Sequence, residues 1–293
     1  MPIEMKKTLL IIVILLFDNL KCQFLNIERL KAEYPVKEYT LHTKDIYEFD
    51  KKIELFNFFL NNSTLLLISI LPDVETGENW KKADKKSINT HEISTADFIK
   101  LVSQDENKKK LVFNMIHKNE KNTEFSAYVA LAEIFHIENY EFPLISDNGT
   151  INIKEQKVTI KSFLKTYNSN FSASTYKSVF PLDVRKKELM LGNVNHLHYK
   201  PYLSKEFFIE NKKAFQFWTL NDWRVIDGYN YQRGVDRFLY IPKLGIVGGS
   251  YDFYFELKPR SIFKTNFTLP VDGERLWNNM INEKIMVAQE LLN

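Results

Sequence analysis

The sequence predicts an α/β N-terminal domain over residues 36–170 and an antiparallel β domain over residues 171–293 that ends in a C-terminal helix. Two observations predict this division. In the first half, short apolar runs alternate with segments whose apolar residues recur every three or four positions. In the second half aromatic residues, which favour strands, dominate: 17 of residues 199–263 are Phe, Tyr or Trp, whereas the whole chain is 14% aromatic.

The first half begins with a predicted strand at residues 36–41, which are rich in β-branched and aromatic side chains. A helix is predicted next, because apolar residues then recur at helical spacing at Ile46, Phe49, Ile53, Phe56 and Leu60. The run LLLISIL at residues 65–71 predicts a strand buried on both faces of a parallel sheet. The polar residues 73–92 predict a solvated loop.

Ser94 and Asp97 form a capping-box pattern before a short predicted helix, and LVFNMI at residues 111–116 predicts a third strand. A second long helix is predicted from Thr123, because apolar residues then follow one helical side. These residues are Phe125, Tyr128, Val129, Ala132 and Phe135.

A hairpin and a helix are predicted to close the first domain. Residues 142–145 and 150–153 are predicted as extended segments, and Asp147-Asn148-Gly149 as their turn, since Asn-Gly readily takes positive φ. Thr159 is predicted to cap the last helix, whose apolar residues share one face. They are Ile160, Phe163, Leu164 and Tyr167.

The predicted element order is therefore βαβαβαββα. This order, together with AEIFHIENYEFPLISDNGTI at residues 132–151, resembles the thioredoxin-like fold, with Pro143 at the family's proline position. The family's CxxC pair would follow the second strand, where this chain has PDVET at residues 72–76. The resemblance implies a redox-inactive domain in which Pro143 forms a cis bond and lines a peptide groove. Alternatively, Pro143 starts an edge strand.

Short extended segments are predicted through the second half, at residues 188–199, 213–220, 223–231, 236–241 and 250–257. A helix is predicted over 274–292, and the GIVGG sequence at 245–249 is predicted as a turn. The aromatic residues either fill a β core or form a platform for sugars or peptides. Trp218 and Trp223, beside a predicted turn, are candidates for exposed rings.

The charged segment 222–237 is the main candidate binding site. It contains three of the seven arginines of the chain, and the planar guanidinium group suits carboxylate or phosphate. Cross-strand ion pairs would explain the same residues. Together with Pro143, the candidate binding residues are Asp222, Arg224, Tyr229, Tyr231, Arg233, Asp236 and Arg237.

Metal and cofactor chemistry finds little support in the sequence. His196 and His198 would share one face of a strand, but two imidazoles make half of a zinc site and no third ligand is identifiable. No GxSxG, P-loop or HExxH motif occurs. We therefore expect no cofactor and no resident metal, with these two histidines as the weak alternative.

Composition excludes several classes of protein. The chain has 293 residues, 40 Lys and Arg against 37 Asp and Glu, and one cysteine. Its length and apolar content are sufficient for a folded core, which argues against a disordered chain. The balanced charge predicts no nucleic-acid partner. A single cysteine allows neither an internal disulfide nor thiol exchange through a CxxC pair.

The N-terminus predicts export. Lys6 and Lys7 precede an apolar run at residues 8–17, which is too short to span a bilayer at about 20 residues but suits a signal peptide. We expect residues 1–22 to be removed after Cys22, giving a periplasmic or secreted chain without a transmembrane segment. Lipid attachment at Cys22 is the minor alternative.

These features predict an exported, non-enzymatic binding protein that recognises a peptide, protein or glycan. The alternative is an exported hydrolase that uses carboxylates or histidines of the second domain. Thiol-disulfide oxidoreductase activity is not expected. Five N-x-S/T sequons would matter in a glycosylating secretory pathway. They begin at Asn61, Asn62, Asn148, Asn170 and Asn266.

Overall fold

The computed structural model of the protein describes most of the chain from Phe24 to Leu292 as a mixed α/β structure with three sheets and few helices. The described residues are 24–82, 92–104, 109–112, 114–118, 123–126, 129–141, 149–163, 165, 200–219, 234–256 and 269–292.

The strands are β1 (Phe24–Asn26), β2 (Val36–His42), β3 (Lys52–Asn61), β4 (Thr64–Leu71), β5 (Trp80–Lys82), β6 (Lys109–Val112), β7 (Asn114–Lys118), β8 (Thr123–Ser126), β9 (Val129–Glu138), β10 (Thr150–Asn152), β11 (Pro201–Ile209), β12 (Lys212–Thr219), β13 (Arg237–Ile241), β14 (Gly245–Ser250) and β15 (Met286–Val287). The helices are α1 (Ile27–Glu33), α2 (Lys44–Tyr47), α3 (Thr95–Gln104), α4 (Asp252–Glu256), α5 (Gly273–Ile281) and a 3-10 helix (Gln289–Leu291).

The central sheet has the order β10-β9-β4-β3-β2, and β6 also pairs with β9. The predicted strand LLLISIL is confirmed as β4, but the predicted parallel sheet is wrong, since β4 is antiparallel to both β3 and β9. Strand β2 is likewise antiparallel to β3, and only the short β10 runs parallel to its neighbour β9. Antiparallel neighbours of this kind require no helical crossover.

The long helix predicted between Ile46 and Leu60 is wrong. The segment contains the single helical turn α2 and then β3, whose two faces enter different cores. Ile53 and Leu55 pack on one side of the sheet, and Phe56 and Phe58 on the other. A strand that is apolar on both faces can imitate helical spacing, because residues three apart then lie on opposite faces and are both buried.

The helix predicted from Thr123 is also wrong, because these residues form β8 and β9. In β9, Leu131 and Phe135 enter one core, whereas Ala132 and Ile134 enter the other. The predicted order βαβαβαββα is therefore replaced by a sheet whose strands are antiparallel except for the pair β9 and β10. Two smaller predictions are confirmed: Ser94 caps α3 through the amide of Asp97 (3.1 Å), and residues 160–163 are helical after Thr159.

The C-terminal sheet has the order β11-β12-β13-β14-β15, and every neighbouring pair is antiparallel. The predicted strands at 213–220 and 236–241 are confirmed as β12 and β13. Two other predictions are wrong: the predicted turn at 245–249 lies in β14, and the strand predicted at 250–257 contains α4. The C-terminal helix is shorter than predicted, since α5 ends at Ile281.

Three layers result from the stacking of the sheets. One face of the central sheet packs on the C-terminal sheet, for example through the rings of Phe135 and Phe238, whose centroids are 5.3 Å apart. The side chain of Asn57 crosses this interface and exchanges two hydrogen bonds with the backbone of Ile246 (2.7 and 2.9 Å). The other face packs on α1, α3 and a four-stranded outer sheet of β1, β7, β8 and β5. Residues of both predicted domains thus share one core.

The segment that follows α5, hereafter the C-terminal strap (residues 283–292), connects two of these layers. Its strand β15 pairs with β14 of the C-terminal sheet. The carboxylate of Glu290 then accepts a hydrogen bond from the amide of Thr40 in β2 (3.0 Å), at the edge of the central sheet. Among the described residues, no helix is both long and apolar enough to cross a membrane.

Candidate functional site

The structure describes two members of the charged segment predicted as a binding site, Asp236 and Arg237. Asp236 is 5% exposed and Arg237 is 2% exposed, so neither presents its side chain to solvent. The other predicted site residues lie outside the described residues, as do the two histidines of the metal alternative. These are Pro143, His196, His198, Asp222, Arg224, Tyr229, Tyr231 and Arg233.

Arg237 forms an ion pair inside the core. Its guanidinium group pairs with both carboxylate oxygens of Asp252 at the start of α4, the Nη2 to Oδ1 distance being 3.2 Å. Its Nε donates a third hydrogen bond to the carbonyl of Lys284 in the C-terminal strap (2.9 Å). Burial alone would lower the pKa of Arg237, but the charge and hydrogen bonds of Asp252 raise it. This arginine is therefore occupied by protein partners.

Tyr47 extends this network toward the central sheet. Its hydroxyl donates to Oδ1 of Asp252 (2.7 Å) and accepts from the amide of Tyr251 (2.7 Å). Burial, followed by the charge of Asp252, raises the pKa of Tyr47 well above its usual value. Asp252 thus holds α4 against both α2 and β13. Because every member is buried, the network has a structural role in which satisfied polar groups fix the relative position of three elements.

The buried carboxylate of Glu133 fixes the backbone just before β13 begins. It projects from β9 and accepts a hydrogen bond from the amide of Val235 (2.7 Å). Gly234 lies directly against it, since a Cβ atom at that position would come within 1.8 Å of the carboxylate. Thr219, at the end of β12, donates its amide to the carbonyl of Asp236 (2.8 Å). Thr219, three residues before the predicted binding segment begins, is therefore fixed beside Asp236 near the end of that segment.

An aromatic cluster of Phe163, Tyr202, Trp218 and Trp277 lies beside Thr219, on the face of the C-terminal sheet that is turned away from the central sheet. The rings of Tyr202 and Trp218 stack with centroids 4.6 Å apart and planes 14° apart. Phe163 meets the ring of Trp218 edge-on at 5.2 Å. Trp218 is 1% exposed and donates Nε1 to the carbonyl of Val158 (2.7 Å). Its predicted exposure is therefore wrong, because a strand and a helical turn cover it.

The rings of Tyr202 and Phe163 stay half-buried. Trp277 and Ile281 of α5 are also partly exposed and belong to the same apolar group. At its border, the ammonium group of Lys200 lies 4.9 Å from the centroid of the Tyr202 ring and forms an ion pair with Glu155. Burial lowers the pKa of Lys200 and raises that of Tyr202 to about 12. We define the aromatic cluster as Phe163, Tyr202, Trp218 and Trp277.

This cluster can supply stacking surfaces. Aromatic rings give large contact areas at low entropic cost, and a tyrosine hydroxyl adds a polar contact. Sequence reasoning did not select Tyr202, although the aromatic excess of residues 199–263 pointed to this region. Its pairing with Trp218 depends on the β11 to β12 register, which spacing alone does not give.

Two further buried carboxylates, Glu283 and Asp73, make structural contacts. Glu283 accepts hydrogen bonds from the amide of Ile160 (2.6 Å) and from Ser204, and it pairs with Lys205. Asp73 binds the amide of Glu75 (2.8 Å) at the turn after β4. Among the described residues, no group of three or more His, Cys, Asp or Glu side chains could hold a metal ion.

Comparison with known proteins finds no matching family model, no matching curated protein and no matching solved structure.

Proposed function

We propose that the protein is an exported, non-enzymatic binding protein that recognises a peptide, protein or glycan through the aromatic cluster. The half-buried stack of Tyr202 on Trp218 is the observation that supports this proposal most directly. A ring that is held from behind by a second, buried ring is rigid, so little conformational entropy is lost when a ligand covers its remaining surface.

The position of the cluster also supports the proposal. Trp218 lies next to Thr219, the last residue of β12, and is four residues before the predicted site residue Asp222 in the sequence. At the border of the Tyr202 ring, Lys200 and Glu155 pair with each other, and their side chains are only 11% and 12% exposed. The proposed ligand contact is therefore the aromatic surface with the Tyr202 hydroxyl, since peptides and glycans both combine apolar surfaces with polar groups.

Two other predictions do not enter the proposal. The thioredoxin-like resemblance has no part in it, because the central sheet has antiparallel neighbours where the resemblance implied βαβ units. The exported hydrolase has no part in it either: within the described part of the chain, Glu133, Asp252 and Glu283 bind amides, hydroxyl groups and cations of the fold.

The proposal can be tested by ligand screening with a matched pair of variants. The purified full chain would be screened against a glycan array and a displayed peptide library, and each ligand found would be titrated against Tyr202→Ala and Phe208→Ala. Both residues are aromatic and lie in β11, but Phe208 is 71% exposed and lies outside the cluster.

We expect Tyr202→Ala to weaken binding at least about tenfold, as truncation of a central aromatic contact does, and Phe208→Ala to leave affinity unchanged. Circular dichroism would verify that both variants are folded. Failure of the wild type to bind any array member or peptide, or equal binding by wild type and Tyr202→Ala, would contradict the proposal.

A further inference from the structure

The turn between β3 and β4 carries two overlapping N-x-S/T sequons. The sequence Asn61-Asn62-Ser63-Thr64 places one sequon on Asn61 and a second on Asn62. Asn61 and Thr64 are paired across the hairpin, so Asn62 and Ser63 form a two-residue turn. The asparagines of the other three sequons lie outside the described residues.

The two asparagines differ in their contacts. The Oδ1 atom of Asn61 accepts hydrogen bonds from the amide (2.8 Å) and the hydroxyl (3.2 Å) of Ser63, an arrangement that holds the turn. Asn62 is exposed, and within the described part of the chain its side-chain amide makes no hydrogen bond. A substituent on Asn62 would therefore replace no native contact.

The turn has an exposed tip and a base that is fixed against the sheet. Immediately after it, Leu65 and Leu66 are buried in the two cores of the molecule. The carbonyl of Ser63 accepts a hydrogen bond from the amide of Ile137 in β9 (2.8 Å), so the base of the turn is fixed against the sheet. The exposed tip, where Asn62 lies, is the part that can carry a glycan into solvent.

We propose that Asn62 is an N-glycan acceptor. The inference rests on the proposed export, in a pathway that supplies an oligosaccharide on a lipid diphosphate and a transferase. In the transfer step, the amide nitrogen of Asn62 forms a bond to C1 of the first sugar and gives up one proton to a base of the transferase. The bond from C1 to the diphosphate oxygen breaks, and the lipid diphosphate leaves with the electron pair.

Two single substitutions distinguish the overlapping sequons. Ser63→Ala removes the sequon of Asn61 and keeps that of Asn62, whereas Thr64→Val removes the sequon of Asn62 and keeps that of Asn61. Thr64 is a half-buried strand residue, and valine retains its β-branched shape. Thr64→Ser also changes residue 64 but keeps the sequon of Asn62, so it controls for effects of a substitution at this position on folding.

The full chain would be expressed in eukaryotic secretory cells in two forms, one with its own residues 1–22 and one with these replaced by a host signal peptide. The second form enters the pathway whether or not the proposed export is correct. Secreted protein would be treated with peptide N-glycosidase, and its mass and the peptide that contains Asn62 would be measured.

We expect enzymatic conversion of Asn62 to aspartic acid in the wild type, Ser63→Ala and Thr64→Ser, and loss of this glycan in Thr64→Val. An unmodified Asn62 in the secreted host-signal form, or a glycan that survives Thr64→Val and disappears in Ser63→Ala, would overturn the inference. Retention of only the natural-leader form inside the cells would instead contradict the proposed export.

Discussion

At the scale of single residues, Arg237 is predicted as a binding residue but lies buried in the core. The sequence offered two interpretations, an anion-binding group or a structural ion pair. The sequence does not indicate its partner Asp252, because it predicts a strand over residues 250–257 and no helix that begins at Asp252. The residue opens α4 instead and turns inward, where Tyr47 and Arg237 bind it. Alternating polarity does not distinguish such a buried charge from an exposed one.

The buried pair predicts strong coupling between Arg237 and Asp252. Removal of one partner leaves an uncompensated buried charge, so we expect Arg237→Met or Asp252→Leu alone to lower the free energy of unfolding by about 3–5 kcal/mol. The double variant should lose clearly less than the sum of the two. Urea denaturation of the four proteins would measure the coupling energy.

The exposed pair of Glu210 and Lys212, whose side chains are 45% and 46% exposed at an N–O distance of 3.4 Å, provides the control. The same cycle made there with alanine should give a coupling energy below about 1 kcal/mol. Similar coupling energies at the two pairs would contradict the role assigned to burial.

At the scale of secondary-structure elements, LLLISIL was predicted correctly because it is an unbroken apolar run that ends at Pro72, although both of its faces are buried. Strands β3 and β9 are also buried on both faces, but polar residues such as Asn57 and Glu133 interrupt their apolar runs. The remaining apolar residues therefore fit the helical spacing as well as the strand spacing. Only the register with β4, a property of the folded sheet, separates the two interpretations.

Two hairpins of equal length allow a prediction about turns. Glu210 and Asn211 in the β11 to β12 turn both have positive φ, 48° and 64°, whereas Asn62 and Ser63 in the β3 to β4 turn do not. Glycine adopts positive φ without strain, so Asn211→Gly should raise the free energy of unfolding by about 0.5 kcal/mol. Asn62→Gly should lower it, because glycine adds only unfolded-state entropy there. Equal shifts in melting temperature would refute this reasoning.

At the scale of the whole molecule, the two predicted domains are joined by one core, in which Phe135 and Phe238 meet across the central and C-terminal sheets. The sequence predicted the change in composition near residue 171, but composition does not report which sheets face each other. The sequence does not indicate the aromatic cluster either, since Phe163 and Trp218 lie on opposite sides of the predicted domain boundary at residue 171.

The shared core predicts that the full chain unfolds in one transition and that neither half folds alone. We expect tryptophan fluorescence and far-ultraviolet circular dichroism of the full chain to report coincident urea transitions. Fragments 24–165 and 200–292 should each lack a cooperative transition, because each would expose half of the core. A cooperative transition in either isolated fragment would show that the halves are independent domains.

The C-terminal strap has a consequence for the order in which the molecule can be completed during synthesis. The edge of strand β2 at Thr40 is covered by Glu290, which is synthesised 250 residues after Thr40. Until then the nascent chain has open strand edges, which pair readily with other chains and which fold slowly because their contacts are so distant in sequence. The edge of the central sheet at β2 can therefore be completed only after residue 290 has been synthesised, so this contact forms late in folding.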